Sequence, residues 1–240
     1  MGSKRNPGRV AGLWYLLLVL LAPLRLEYIP NKLFVHGDAT ATVNKIAAHE
    51  PLFRWGIATD LTCALILIFL VLAFYRLFKE VDQQLAVLVV IFGGVMPALI
   101  DFVNVVSDLG VLTFVRGPSF LAVFDKPERD ALAMLLLNLH DHQVTAAEIL
   151  WGIWLLPLAA LVYKSRFLPR FLGVWLVING IAYVVMSLTG VLLPRYEGDV
   201  FTYSTPALLG EVALMLWLVI KGARPSAVHT SMPEATAAAI

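Results

Sequence analysis

The segment Asn138-Leu139-His140-Asp141-His142-Gln143-Val144-Thr145-Ala146-Ala147-Glu148 holds two of the chain's five histidines and two acids. It runs directly into an apolar stretch, Ile149 to Tyr163, that reads as a membrane span. On a helix turning about 100° per residue, His140, Asp141 and Glu148 share a sector about 100° wide, and His142 points to roughly the opposite side. One imidazole and two carboxylates are ligand types suited to zinc, iron or manganese, so His140, Asp141 and Glu148 form a candidate divalent-metal set. Their spacing is not the i, i+4 histidine pair of a zincin helix. Two other readings stand beside the metal: an acid–base site without a metal, and a hydrated helix entrance at headgroup level. Ionisable groups at the mouth of a membrane helix are costly, and that makes them functional candidates by default.

Other apolar stretches carry polar groups too. Asp101, Asn104 and Asp108 are spaced i, i+3, i+7 and fall on one helix face, with Pro97 on the same side. Asn179, Tyr183 and Ser187 follow at steps of four. Asp60 and Glu211 each stand in a further apolar run. Six acids (Asp60, Asp101, Asp108, Asp141, Glu148, Glu211) face few bases: Arg25, and His140 or His142. An unpaired buried carboxylate costs several kcal/mol, so these acids must be protonated, hydrated in a cavity or bound to a cation. Counting about 1.5 Å of rise per residue from the nearest basic boundary puts nearly all of them in one half of the membrane, with Glu211 near the midplane. His140, Glu211 and Asp60 are the candidate catalytic groups. Asp101, Asn104, Asp108, Asp141, Glu148 and Tyr183 are candidates for a cavity wall. The plainer alternative for each is a hydrogen bond between packed helices.

These residues need elements to position them. The chain has 240 residues, 60% hydrophobic and 15% charged, and a mean hydropathy of +0.81. A soluble domain carries about 25% charge. The apolar runs are about 20 residues long, enough to cross a bilayer core of about 30 Å. The expected fold is therefore all-α: a polytopic bundle of six transmembrane helices. The spans fall at about 10–28, 55–77, 85–106, 144–163, 171–193 and 205–220 within a membrane domain 10–222. Residues 1–9 form a cytoplasmic N-terminus, and 223–240 a disordered cytoplasmic tail. The first run ends without a small-residue cleavage site and reads as an uncleaved span. Placing both termini inside puts Lys4, Arg5, Arg9, Arg76, Lys79, Lys164, Arg166, Arg170, Lys221 and Arg224 in short cytoplasmic segments.

Between the first two spans, Asp38 suits the N-cap of a short surface helix from Ala39 to His49. Asp125-Lys126-Pro127-Glu128 is a strong helix start. From there to Tyr163 a helix would be nearly 60 Å long at about 1.5 Å per residue. It must stand partly outside the bilayer, or bend or break near Asn138. The net charge of +1 gives no argument for nucleic acid, and the single cysteine, Cys63, excludes a disulfide framework. No phosphate loop, nucleophile elbow, Cys-x-x-Cys or dinucleotide fingerprint is present. Arg9-x-x-Gly12-x-Trp14 is echoed by Arg170-x-x-Gly173-x-Trp175, a hint of a parallel repeat.

Several segments together resemble a known family. They are Ala11-Gly12-Leu13-Trp14-Tyr15-Leu16, Gly37-Asp38-Ala39-Thr40-Ala41-Thr42, Leu52 to Leu61 around Thr59-Asp60, Leu137-Asn138-Leu139-His140, Tyr163 to Gly173, and Gly210-Glu211 to Leu218. The likeness, to the bacterial membrane family filed as domain of unknown function 4386, runs from about Arg9 to Gly222. It implies a multi-pass protein of the bacterial inner membrane and supplies no activity. Asp60, His140 and Glu211 fall in the matching segments; His142 does not.

Three functions remain open at this level. The first is a small membrane enzyme or binding protein whose polar site, in the outer half of the bilayer, takes a lipid-like or small ligand from the side. The second is a proton- or cation-coupled carrier in which Glu211 and Asp60 titrate. The third is a structural or partner protein whose polar contacts only join helices. They differ in what they demand of the structure: a shared cavity, a polar path across, or neither.

Overall fold

The structure, a computed structural model, describes residues 6–224. Seven helices and no strand make up this part of the chain: α1 (Pro7–Leu33), α2 (Ala39–Ala48), α3 (Glu50–Phe78), α4 (Gln83–Arg116), α5 (Lys126–Ser165), α6 (Arg170–Leu192) and α7 (Pro194–Ile220). All but α2 are long and apolar enough to cross a membrane. The chain is a multi-pass membrane protein.

The six long helices form a ring in sequence order. Each packs on its neighbours in the chain, and α7 closes the ring against α1. Closure depends on Gly12. A β-carbon there would stand 2.7 Å from the backbone nitrogen of Val219, so only glycine lets the two backbones approach this closely. At the same end Gly8 N–H donates to the Ala223 carbonyl at 3.1 Å, tying the start of the described chain to its finish. The first residues assigned by sequence to the C-terminal tail, Ala223 and Arg224, are described, and Ala223 is buried; residues 1–5 and 225–240 lie outside the described residues.

Two apolar cores fill the ring. At the end bearing the termini, Tyr15, Phe74, Phe78, Trp154, Leu158, Leu161 and Leu218 pack together. At the far end Ile29, Val43, Ile46, Phe53, Leu112 and Leu137 form a second core, with α2 laid against α4 and α5. Asp38 caps α2 by accepting the Ala41 N–H at 2.8 Å. The polar residues lie between the two cores.

Three departures from helical regularity matter for the site. α1 widens into a π turn at Leu24–Tyr28 and α4 into another at Ile91–Val95. Each has a proline just beyond it. Pro30 has no N–H for the Leu26 carbonyl, and Pro97 has none for that of Gly93, so the helix rebonds with a step of five: Ile29 N–H to Leu24, and Met96 N–H to Ile91. The third is in α5. This helix runs unbroken through Asn138, where a bend or break had been one of two expectations. It interrupts instead at Trp154, because Pro157 leaves the Ile153 carbonyl without a donor. Its start is a reciprocal cap: Asp125 accepts the Glu128 N–H at 2.8 Å, and Glu128 accepts the Asp125 N–H at 2.8 Å. α4 also continues past Val106, to a left-handed stop at Gly117 with φ of 58°.

Candidate functional site

The π turn of α1 aims Arg25 into the ring. Its Nε donates to Asp60 Oδ2 of α3 at 2.9 Å, and its Nη2 to Asp108 Oδ2 of α4 at 2.9 Å. The same Nη2 is 3.1 Å from Nδ1 and 2.9 Å from Nε2 of His140 on α5. Nearly equal distances to both nitrogens put Nη2 over the imidazole ring and not in line with either lone pair. One arginine thus joins four helices. The side chains of Arg25, Asp108 and His140 are 5%, 1% and 4% exposed, so these charges meet almost without water. Asp108 Oδ1 lies 3.2 Å from His140 Nδ1. That contact is out of line for a hydrogen bond, and the oxygen stays unpaired.

Asp60, Asp108 and His140 each offer a ligand atom within 4.8 Å of the others. This donor set, and not His140 with Asp141 and Glu148, is the one the helices bring together. Asp141 is exposed, and Glu148 is half-buried within Coulombic reach of Glu197 on α7. An aspartate–aspartate–histidine set suits a hard or borderline divalent ion. Here, however, the positive charge at its centre is already supplied by the Arg25 guanidinium. A metal would have to displace it.

A second polar cluster lies toward the termini. The Tyr15 hydroxyl on α1 donates to Glu211 Oε1 on α7. Asn179 Nδ2 on α6 donates to Glu211 Oε2 at 3.3 Å. Tyr183, one turn further along α6, stands beside the same carboxylate, its ring edge-on to Trp151 with centroids 5.8 Å apart. Glu211 is therefore well supplied with donors and, among the described residues, faces no cation.

A cavity of about 390 Å³ connects the two clusters. Arg25, Asp60 and Asp101 stand at one end, and Tyr15, Tyr183, Trp151 and Glu211 at the other. Between them the wall is apolar: Leu18, Val19, Ala22 and Leu26 of α1, Leu67 of α3, Leu208, Leu209 and Val212 of α7. Both π turns border it, through Arg25 and Leu26 on one side and Gly93 on the other. Leu26 and Leu209 line the cavity yet are 48% and 49% exposed, which makes them its rim. The mouth therefore lies between α1 and α7, on the surface that faces lipid. Toward the termini the cavity stops at the packed core around Phe74 and Leu214.

Of the residues singled out by sequence, Asp60, Asp101, Tyr183 and Glu211 line this cavity, and Asp108 and His140 stand behind its charged end. Asn104 is buried with its Oδ1 unpaired and does not line it. Asp141 and Glu148 do not line it either. His142 is exposed. Sequence reasoning named Arg25 only as a nearby base. Its position within a span, among acids and few other cations, was the signal of its central place. Tyr15 and Trp151 were missed as wall residues because aromatic side chains in a span look like packing.

With this geometry described, comparison with known proteins places the chain. The profile of a family described as "Domain of unknown function (DUF4386)" matches residues 10–222. The chain belongs to that family. The DUF4386 match covers every helix of the ring. The chain is also 36% identical over 80 residues to an uncharacterized protein of Archaeoglobus fulgidus, an overlap of 33% of this chain and 46% of that protein. No solved structure matches.

Proposed function

We propose that this protein binds a lipid-like molecule that enters its cavity sideways, between α1 and α7. One observation carries the reading: a single cavity joins an apolar mouth on the lipid-facing surface to two buried polar clusters. That is how ligand pockets are generally built, with apolar walls and a few convergent polar groups. At about 390 Å³ it holds a headgroup and part of a chain; the remaining tail stays in the bilayer. Asp60 and Glu211 provide acid–base capacity beside such a ligand, and His140 stands behind Asp60 through the shared Arg25. The cytoplasmic placement of the termini favoured by the lysine and arginine distribution would open the cavity toward the outer leaflet of a bacterial plasma membrane. A carrier is the weaker reading, since among the described residues the apolar core around Phe74 and Leu214 leaves no polar path onward.

The test is lipid-dependent stability. Delipidated protein should gain thermal stability when membrane lipid is returned. Ala22→Trp, which puts a bulky side chain into the cavity from its apolar wall, should gain much less. Equal gains in both proteins would refute the reading.

A further inference from the structure

The charge of the cavity is lopsided. Its wall carries the carboxylates of Asp60, Asp101 and Glu211 against one guanidinium, Arg25. That guanidinium is already shared between Asp60 and Asp108. Among the described residues Asp101 stands near Asp60 and His140 and makes no ion pair. Glu211 receives hydrogen bonds from Tyr15 and Asn179 and meets no cation among the described residues. Among the described residues no cation stands at the Glu211 end to hold an anionic headgroup.

The surroundings of Glu211 are aromatic as well as acidic. Tyr15, Tyr183 and Trp151 all reach the cavity there, and the last two stand at right angles, with an interplanar angle of 83°. Aromatic faces beside a desolvated carboxylate are what a cationic nitrogen seeks: the rings attract it through their quadrupoles, and the carboxylate accepts its N–H bonds. The apolar wall of Leu18, Leu208 and Leu209 suits a hydrocarbon body.

From this we infer that the ligand is a lipophilic ammonium, with its cationic nitrogen against Glu211 and its apolar body along α1 and α7. The inference rests on the lateral-binding reading and sharpens it. Asp101, at the other end of the cavity, adds a longer-range attraction, and Arg25, already shared between Asp60 and Asp108, leaves no free cation there to hold an anion among the described residues.

The experiment compares dodecylamine, dodecanol and dodecanoate on the purified full chain in dodecyl maltoside at neutral pH, with binding followed by native mass spectrometry. The amine should bind at least about tenfold more tightly than the other two, the margin expected of one buried charge-assisted contact. Glu211→Gln should erase that margin. Asp101→Asn breaks no hydrogen bond or ion pair among the described residues and should shrink it, which keeps the test decisive should Glu211→Gln fail to fold. Competition of lysophosphatidylethanolamine with dodecylamine would assign the ammonium to a lipid headgroup; lack of competition would assign it to a free amine. Equal affinities for the three probes, tightest binding of dodecanoate, or an unchanged margin in folded Asp101→Asn would overturn the ammonium assignment while leaving a lipid cavity in place. Binding of none of the three would overturn the cavity reading itself.

Discussion

Arg25 Nη2 lies 2.9 Å from Asp108 Oδ2, and neither side chain is more than 5% exposed. This pair joins the π turn of α1 to the buried face of α4. Charges so far from water stabilise only as a set. Removing one partner leaves the others buried and uncompensated, which costs about 3–5 kcal/mol.

Arg25→Met should therefore lower the melting temperature sharply, by an amount matching that loss. Adding Asp60→Asn and Asp108→Asn to it should restore most of the stability, because the stranded charges are then gone. Thermal unfolding of the three proteins in detergent checks this. A single variant that melts with the wild type would show that the cluster does not hold the helices.

A second prediction concerns the contact between α5 and α6. A β-carbon on Gly152 would stand 2.4 Å from the Gly180 carbonyl oxygen, a backbone atom that cannot swing aside. Gly152→Ala should destabilise by about 1–3 kcal/mol, the usual cost of forcing a tight contact apart. Gly198 on α7 has nothing within 4 Å of its would-be β-carbon. There Gly198→Ala should be neutral or stabilising by up to about 1 kcal/mol. The two melting curves should separate in opposite directions from the wild type.

Much of this arrangement is legible in the residues. Runs of about 20 apolar residues mark six spans, and the spacing of Asp101, Asn104 and Asp108 marks one face of α4. The sequence also singles out Asp60, Asp101 and Glu211, the three acids that line the cavity. Periodicity says which residues share a helix face, but not which helix that face meets. His140 and Asp141 are neighbours in the chain, yet one turns toward Arg25 and the other to the surface. The long-range pairing of Arg25 with Asp60 and Asp108 depends on α1 widening by one residue, and only Pro30 hints at that. The interruption at Trp154 was missed for a similar reason: Asn138 looked like the weak point, but it is Pro157 that removes a donor.

A third prediction concerns pH, at the short connection between α3 and α4. Lys164 Nζ donates to Asp82 Oδ2 at 2.9 Å, and this bond, with that from Leu85 N–H, holds the Asp82 carboxyl below its usual range. The group is lowered in the folded state, so its contribution is fully present above the unfolded value of about 3.9 and is lost as pH falls through the folded one. The pair is exposed, so its effect is small and weakened by salt. Lys164→Met should be slightly less stable than the wild type at neutral pH and low salt. The gap should close below about pH 4. A gap that persists in acid would assign the difference to lost packing of the lysine stem.

The most direct test of the central claim is to identify what the protein carries out of the membrane. Full-length protein, gently solubilised and analysed by mass spectrometry of its extracted small molecules, should hold close to one equivalent of an amphiphile. Ala22→Trp, equally folded, should hold almost none. If both proteins carry the same complement of lipid, the cavity between α1 and α7 is not a binding site.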